Sequence, residues 1–389
     1  MKNSNHIPEL DGVRGIAILM VIVFHAFQFI PSPMTGWISK LASYGFAGVD
    51  LFFVLSGFLI TGILLNAKSQ PGYFRNFYAK RALRIWPLYY LLLLVSFGLV
   101  PLLILRTHVF MEELSLLQSR SALVYVLLLQ NIWYAGKIGP IMLAMTWSLA
   151  IEEQFYIVWP WLVMWCSRKK LACILIAIVV LTPLARLWSS FHGASVDAIR
   201  FETWFRLDGL SLGALVAVYC KSGFFSLSRT RWAAMLALAI GVPTSLWLLA
   251  GHSQTLWPLL YSMLSLSGAG AVTFGIWCCR TNSIFGAPFR LSWLRYIGQV
   301  SYCMYLAHQP IYYVLGSKRV MEHVGTGSGA SIAVMVFGFI LSLSVASLSW
   351  YLFESQILKL KGRLEFRQQR GKIAANPEPI CGVVGEDPL

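Results

Sequence analysis

The chain has 389 residues, of which 57% are hydrophobic and only 12% are charged, about half the charge of an ordinary soluble domain. Its net charge of +15 would suggest nucleic acid in a soluble protein, but here the apolar residues form blocks of about 18 or more, the length that spans a hydrocarbon core. Composition therefore excludes a soluble globular protein and predicts a lipid bilayer, with no nucleic acid, as the environment.

Eleven apolar stretches follow one another along the chain, at 12–30, 46–66, 83–105, 121–134, 147–166, 170–188, 204–220, 232–250, 256–279, 293–315 and 330–353. The first lacks a small-residue cleavage site, which predicts a retained helix rather than a signal peptide. The fourth is short for a span, and its length is typical of a re-entrant or interfacial segment.

The positions of lysine and arginine predict how many stretches cross the bilayer. If 121–134 does not cross and the N-terminus is cytoplasmic, the inside loops hold most of the cations, and the outside loops keep only a scatter of seven that includes Lys40, Arg106 and Arg200. If it did cross, every later loop would change sides and the bias would be lost. The positive-inside rule therefore predicts ten spans, both termini cytoplasmic, in the inner (cytoplasmic) membrane of a cell.

The predicted fold is an all-α, polytopic helix bundle of about ten transmembrane helices with one short segment that does not cross. Residues 1–358 form the predicted membrane domain. Residues 359–389 are basic and then rich in Pro and Gly, which predicts a disordered cytoplasmic tail. The seven cysteines show neither metal-ligand spacing nor a disulfide framework, so we expect no metal site.

Ionisable residues inside a span are costly, by about 2.5–3.5 kcal/mol on insertion scales. The predicted topology places His25 ~20 Å along the first helix, at 1.5 Å per residue, in the outer half of the bilayer. His308 falls at a similar depth in the tenth span. The helices that enter from outside bring further charges to this level, namely Asp50, Glu152, Glu153, Arg206 and Asp208. Five helices thus converge at one depth, which predicts a functional cluster.

Within this cluster His25 is the candidate catalytic base, because imidazole titrates near neutrality. Glu152 or Glu153 is expected to orient it or to stabilise its protonated form. Adjacent residues point about 100° apart on a helix, so we expect only one of the two glutamates to face His25. His308 is either a hydrogen-bonded structural residue or part of the acceptor site.

The remaining charges leave two interpretations open. Asp50, Arg206 and Asp208 either form a buried charge pair that fixes the bundle or bind the acceptor. Asp11 is a candidate cap of the first helix.

Three arginines, Arg14, Arg81 and Arg84, lie at the opposite, cytoplasmic face. Arg81 and Arg84 are three residues apart and share one side of a helix. They are predicted to bind an anionic donor group, although cytoplasmic arginines also serve as anchors at lipid headgroups.

Several motifs resemble the membrane-bound acyltransferase-3 family, the O-antigen and exopolysaccharide O-acetyltransferase type. Arg14 and His25 have ten residues between them, which matches the family's Arg-x10-His motif, and Arg81-Ala82-Leu83-Arg84 matches its Arg-x-x-Arg motif. Further segments resemble family signatures in the same order, namely 9–17, 48–60, 146–156, 206–210 and 301–308. The resemblance covers residues 7 to about 358.

The resemblance implies a membrane acyltransferase with acyl-CoA, usually acetyl-CoA, as donor and a carbohydrate hydroxyl as acceptor. It implies that His25 is essential and that the two-arginine motif handles the donor. Some members carry a fused domain outside the membrane. None is evident in this sequence, so we expect acceptor transfer here or on a separate partner, such as a polysaccharide-assembly protein.

Two other functions remain open from the residues alone. Intramembrane charges with a titrating histidine also suit a proton-coupled transporter, although no inverted repeat is visible. A membrane scaffold of polysaccharide assembly is the third candidate.

Overall fold

A computed structural model of the chain describes residues 7–31, 36–107, 110–117, 119–135, 139–251, 253, 255–325 and 327–360. These residues form helices and no strand. The ten longest helices stand at the ten predicted spans: α1 (Pro8–Phe29), α2 (Ala47–Ala67), α3 (Tyr73–Leu94), α4 (Thr146–Trp165), α5 (Arg168–Phe191), α6 (Leu207–Cys220), α7 (Leu227–Leu249), α8 (Leu260–Thr281), α9 (Ser292–Leu315) and α10 (Ser328–Ser349). The predicted all-α bundle is confirmed.

Seven helical stretches of the described residues, those containing α1, α2, α3, α5, α7, α8 and α10, are long and apolar enough to cross a membrane. Large apolar side chains cover the outer faces of α5 and α7, for example Leu181 and Leu236, as expected for surfaces in contact with lipid. The chain is therefore a multi-pass membrane protein. The number of ten crossings and the cytoplasmic position of both termini stay predictions, and only Lys359 and Leu360 of the predicted tail are described.

The stretch 121–134 is broken into two short helices, Ser119–Val126 and Gln130–Trp133. A left-handed residue, Leu128, interrupts them with φ of 55°. Neither helix approaches the ~20 residues that a span requires. This agrees with the predicted short segment that does not cross.

Helix α3 differs from the prediction at its start. It begins at Tyr73 rather than near residue 83 and continues through a π-helical turn, Val95–Leu99, to Thr107. This continuous stretch of 35 residues is ~52 Å long. Arg81 and Arg84 therefore lie about two and three turns inside the helix, not at its entrance as predicted.

Helix α1 also starts earlier than predicted. Pro8 is its first residue, and Ile7 occupies the cap position without a side-chain cap. Asp11 lies in the first turn, 3.9 Å from the Arg14 guanidinium. The expectation that Asp11 caps α1 is wrong, because the helix already begins at Pro8, three residues before Asp11, and proline is well suited to that first position.

Close helix crossings depend on glycine. A Cβ atom on Gly57 of α2 would overlap the Leu210 carbonyl oxygen of α6, and one on Gly213 of α6 would overlap the Val54 carbonyl oxygen of α2. The two backbones touch at this crossing, as small residues allow in membrane bundles. Because α2 carries Asp50 and Ser56, the crossing fixes the helix that lines the site described below.

We expect Gly57→Ala to lower the melting temperature of the detergent-solubilised protein. Overpacking of about 1–3 kcal/mol outweighs the gain of up to about 1 kcal/mol that alanine brings to a helix. The control is Gly62→Ala on the same helix, where a Cβ would meet no atom within 4 Å. An equal or higher melting temperature for Gly57→Ala than for Gly62→Ala would contradict the close crossing.

Candidate active site

A cavity of about 1460 Å³ lies between α1, α2, α3, α4 and α9. It reaches the ends of α2, α6 and α8 that the predicted topology places in the cytoplasm. Basic side chains line that end, namely Lys80, Lys221, Arg280, Arg295 and Lys359. The cavity is larger than most ligand pockets, which measure about 300–1,000 Å³, so it has room for a donor as large as a coenzyme.

All three arginines of the predicted donor site line this cavity. Arg81 lies 5.9 Å from the ring centroid of Tyr156, and Arg84 lies 5.7 Å from that of Trp350. Among the described residues neither has a carboxylate within 4 Å. Aromatic faces hold these guanidinium groups without neutralising them, which leaves their charge available to an anion.

Glu152 lies in the same cavity. Its Oε2 accepts hydrogen bonds from Tyr156 at 2.7 Å and from Ser56 at 3.3 Å, and the two hydroxyls hydrogen-bond each other. Glu153 points away, and its Oε2 accepts from Trp86 Nε1 at 3.1 Å.

Neither glutamate hydrogen-bonds His25 in the described part of the chain, so the expectation that one of them orients His25 is wrong. Phe155 and Trp159, stacked at 4.8 Å in the core, fix the rotation of α4. This rotation aims Glu152 at the arginine cavity. The predicted separation between inner arginines and outer carboxylates is therefore wrong for Glu152.

The orienting partner of His25 is instead His308. Nε2 of His308 lies 3.2 Å from Nδ1 of His25, and the ring centroids are 4.8 Å apart. His308 is fully buried, whereas His25 is partly exposed. The sequence placed both residues at one depth, and the structure brings them into contact.

The partners of the two rings select one tautomer for each. Nδ1 of His25 lies 2.9 Å from the Val21 carbonyl oxygen, and Nδ1 of His308 lies 3.2 Å from that of Met304. Since a carbonyl oxygen only accepts, both Nδ1 atoms carry hydrogen. The single Nδ1–H of His25 is then shared between the Val21 carbonyl oxygen and Nε2 of His308, which both accept, and Nε2 of His25 keeps a free lone pair. Such a lone pair is what a general base requires.

Tyr305 and Ser148 stand between the cavity and the histidine pair. Both line the cavity, whereas His25 and His308 do not. The Tyr305 hydroxyl donates to the Met145 carbonyl at 3.0 Å and shares a 2.7 Å hydrogen bond with Ser148. The Tyr305 ring lies 5.5 Å from that of His308. This hydrogen-bonded pair therefore lies where the cavity comes close to the histidine pair.

The other predicted charges form two buried ion pairs. Arg206 bonds Asp50 at 2.8 Å, and Arg186 bonds Asp208 at 2.6 Å, with all four side chains at most 2% exposed. Arg186 also donates to the Phe205 carbonyl. Asp50, Arg206 and Asp208 do not line the cavity, so their contacts favour the charge-pair interpretation over acceptor binding.

Arg186 was missed by the sequence reasoning, although its charge inside the sixth apolar stretch, 170–188, was the available signal. Arg206 and Asp208 lie close in sequence, yet each pairs with a residue of another helix. No group of three or more potential metal ligands occurs among the described residues.

Comparison with known proteins identifies the family to which the chain belongs. Residues 7–351 match the model of the family described as "Acyltransferase domain", nearly the span over which the motifs showed their resemblance. No solved structure matches the chain.

Three curated relatives resemble the chain over 92% of its length. They are a putative peptidoglycan O-acetyltransferase, YrhL of Bacillus subtilis (31% identity), the peptidoglycan O-acetyltransferase OatA of Listeria monocytogenes (28%) and the O-acetyltransferase OatA of Staphylococcus aureus (25%). The chain spans only 55–58% of their own lengths. Their names refer to peptidoglycan or to no acceptor, so the O-antigen and exopolysaccharide type stays a prediction.

Proposed function

The chain belongs to this acyltransferase family, and we propose that it transfers an acetyl group from cytoplasmic acetyl-CoA to a hydroxyl of a cell-envelope carbohydrate. Two of the relatives are named as peptidoglycan O-acetyltransferases, and these names support peptidoglycan or a similar cell-envelope glycan as the acceptor. The observation that carries the proposal is the arginine-lined cavity that ends beside a histidine pair. No observation specifically favours a transporter or a scaffold.

In this proposal the cavity binds the donor. The phosphates of coenzyme A are anions, and the forked guanidinium groups of Arg81 and Arg84 suit bidentate bonds to them. Arg14, on the wall formed by α1, supplies a third cation. Glu152 acts as a positioning residue, because it holds the Tyr156 hydroxyl while the Tyr156 ring supports Arg81.

His25 then acts as general base from the outer half of the bundle. Nε2 of His25 takes the proton of the acceptor hydroxyl, whose oxygen attacks the thioester carbonyl carbon. The carbon–sulfur bond breaks, and the thiolate leaves and takes up a proton. A positioned base of this kind contributes about 10²–10⁴-fold. A covalent acyl relay is the alternative route, and it would show burst kinetics.

His308 fixes the reactive tautomer of His25 by accepting from its Nδ1–H. The fully buried His308 ring is itself held by the Met304 carbonyl. The lone pair on Nε2 of His25 is therefore present before the acceptor arrives.

We expect His25→Ala to lower acetyl transfer to envelope glycans by about 10²–10⁴-fold, the contribution of a general base. Acetylated sugars are measured by mass spectrometry, and protein level by immunoblot. His323→Ala, at an exposed helix end, is the matched control and should keep normal activity. Normal acetylation in His25→Ala would overturn the role of His25.

We expect Arg81→Gln to raise the KM for acetyl-CoA about tenfold or more, since a charge-assisted bond to phosphate is lost. Arg75→Gln on the same helix is the control, because Arg75 is exposed and does not line the cavity. Initial rates are measured with purified protein at several acetyl-CoA concentrations. A KM for Arg81→Gln equal to that of Arg75→Gln would exclude Arg81 from donor binding.

We expect Tyr305→Ala to increase hydrolysis of acetyl-CoA relative to transfer, since the side chain that separates the cavity from the histidine pair is removed. Tyr305→Phe keeps the ring and loses only the hydrogen bonds to Ser148 and Met145, so its hydrolysis should lie between wild type and Tyr305→Ala. Free coenzyme A and acetylated acceptor are quantified in one reaction. An unchanged ratio in Tyr305→Ala would show that Tyr305 is no barrier.

A further inference from the structure

Arg200 is a half-buried cation at the end of the short helix Val196–Phe201, between α5 and α6. Its guanidinium lies 5.3 Å from the ring centroid of Phe201 and 6.0 Å from that of Phe46. Neither a hydrogen bond nor an ion pair is formed by this group within the described chain. Two aromatic faces thus hold a charge that no described side chain neutralises.

Arg200 lies close to the proposed base. The Phe24 ring contacts His25 edge-on at 4.9 Å and Phe46 at 5.9 Å, so two rings separate the guanidinium from the imidazole. By the predicted topology Arg200 lies on the outer side of the histidine pair, whereas Arg14, Arg81 and Arg84 lie on the donor side.

The arginines of the two buried ion pairs are held differently. Arg186 and Arg206 each have a carboxylate within 2.8 Å, as a desolvated cation requires. Arg200 is only half-buried, and water can solvate part of its charge. A ligand that enters from outside would meet a guanidinium that is already oriented by its aromatic neighbours, with its forked donors still unused.

We propose that Arg200 binds an anionic group, a carboxylate or a phosphate, on the acceptor carbohydrate. This inference rests on the proposed function, because it assumes that a glycan hydroxyl is delivered to His25. Because Phe24 and Phe46 occupy the space between cation and base, the sugar that carries the reacting hydroxyl reaches His25 beside these rings, at a distance from Arg200. The anionic group then lies on that sugar or on its neighbour, and Arg200 selects acidic over neutral glycans.

The alternative is that Arg200 has only a structural role, packing between Phe46 and Phe201. A packing role would affect all acceptors alike, whereas an anion site affects acidic acceptors alone. The test therefore compares acceptors that differ only in charge.

The experiment uses the detergent-solubilised full chain, acetyl-CoA and three tetrasaccharides of equal length. One is neutral, one carries lactyl carboxylates on alternate sugars, and one carries phosphates at the same positions. The variants are R200Q, R200K and the control R319Q, which removes an exposed arginine from the predicted outer side. Size-exclusion chromatography verifies that every variant is folded.

We expect R200Q to raise the KM for an acidic acceptor about tenfold or more, because charge-assisted bonds are lost, and to leave kcat/KM for the neutral one unchanged. R200K should be intermediate, since lysine keeps the charge but not the fork, and R319Q should match wild type. Comparison of the carboxylated and phosphorylated sugars identifies the anion.

Three results would overturn the inference. In the first, the wild-type enzyme prefers neither acidic acceptor over the neutral one. In the second, the preference for an acidic acceptor survives in R200Q. In the third, R200Q loses activity equally on neutral and acidic acceptors. In each of these, acetyl transfer by the wild type would leave the proposed function standing. Absence of transfer from wild type to every acceptor would instead reject the proposed function, and this inference with it.

Discussion

The cost of charge inside a bilayer is the constraint on which this architecture depends. A bundle can keep an ionisable side chain only if it is paired, left neutral, or exposed to water or a ligand. Each solution occurs here. Arg206 with Asp50 and Arg186 with Asp208 are paired and sealed, the histidines share hydrogen bonds, and Arg81 and Arg84 face a large cavity.

This division separates the structural charges from those that are available for chemistry. The sealed pairs link α2 to α6 and α5 to α6, so they hold together the helices on one side of the bundle. In the cavity, Arg81 and Arg84 have no carboxylate partner among the described residues, and aromatic rings orient them instead. An arginine that has its carboxylate already has little affinity left for a phosphate, whereas one that rests on a ring keeps all of its donors.

Much of the fold followed from apolar length, because the bilayer imposes a fixed span on every helix. The similar depth predicted for His25 and His308 was also consistent with the contact that the structure shows between them. Helix rotation was not predictable, since spacing places Glu152 and Glu153 on different faces without saying which neighbour each one meets. The start of α3 at Tyr73 was missed because its first turns are polar, and so the position of Arg81 along the helix was misjudged. Pairing across helices, as in Arg186 with Asp208, depends on packing that no local pattern encodes.

The separation of the histidine pair from the donor cavity bears on whether the acetyl group goes to the glycan or to water. Water that entered with the donor would compete with the glycan for the thioester, and a base in open contact with the cavity would promote that hydrolysis. The Tyr305 ring, held by its bonds to Ser148 and Met145, lies between the donor cavity and His308, and in the proposed reaction it keeps His25 away from that water. Transfer then requires a movement of Tyr305. Since the acceptor approaches from the opposite side, its arrival is the event that could be coupled to that movement, which would favour transfer over loss of the acetyl group to water.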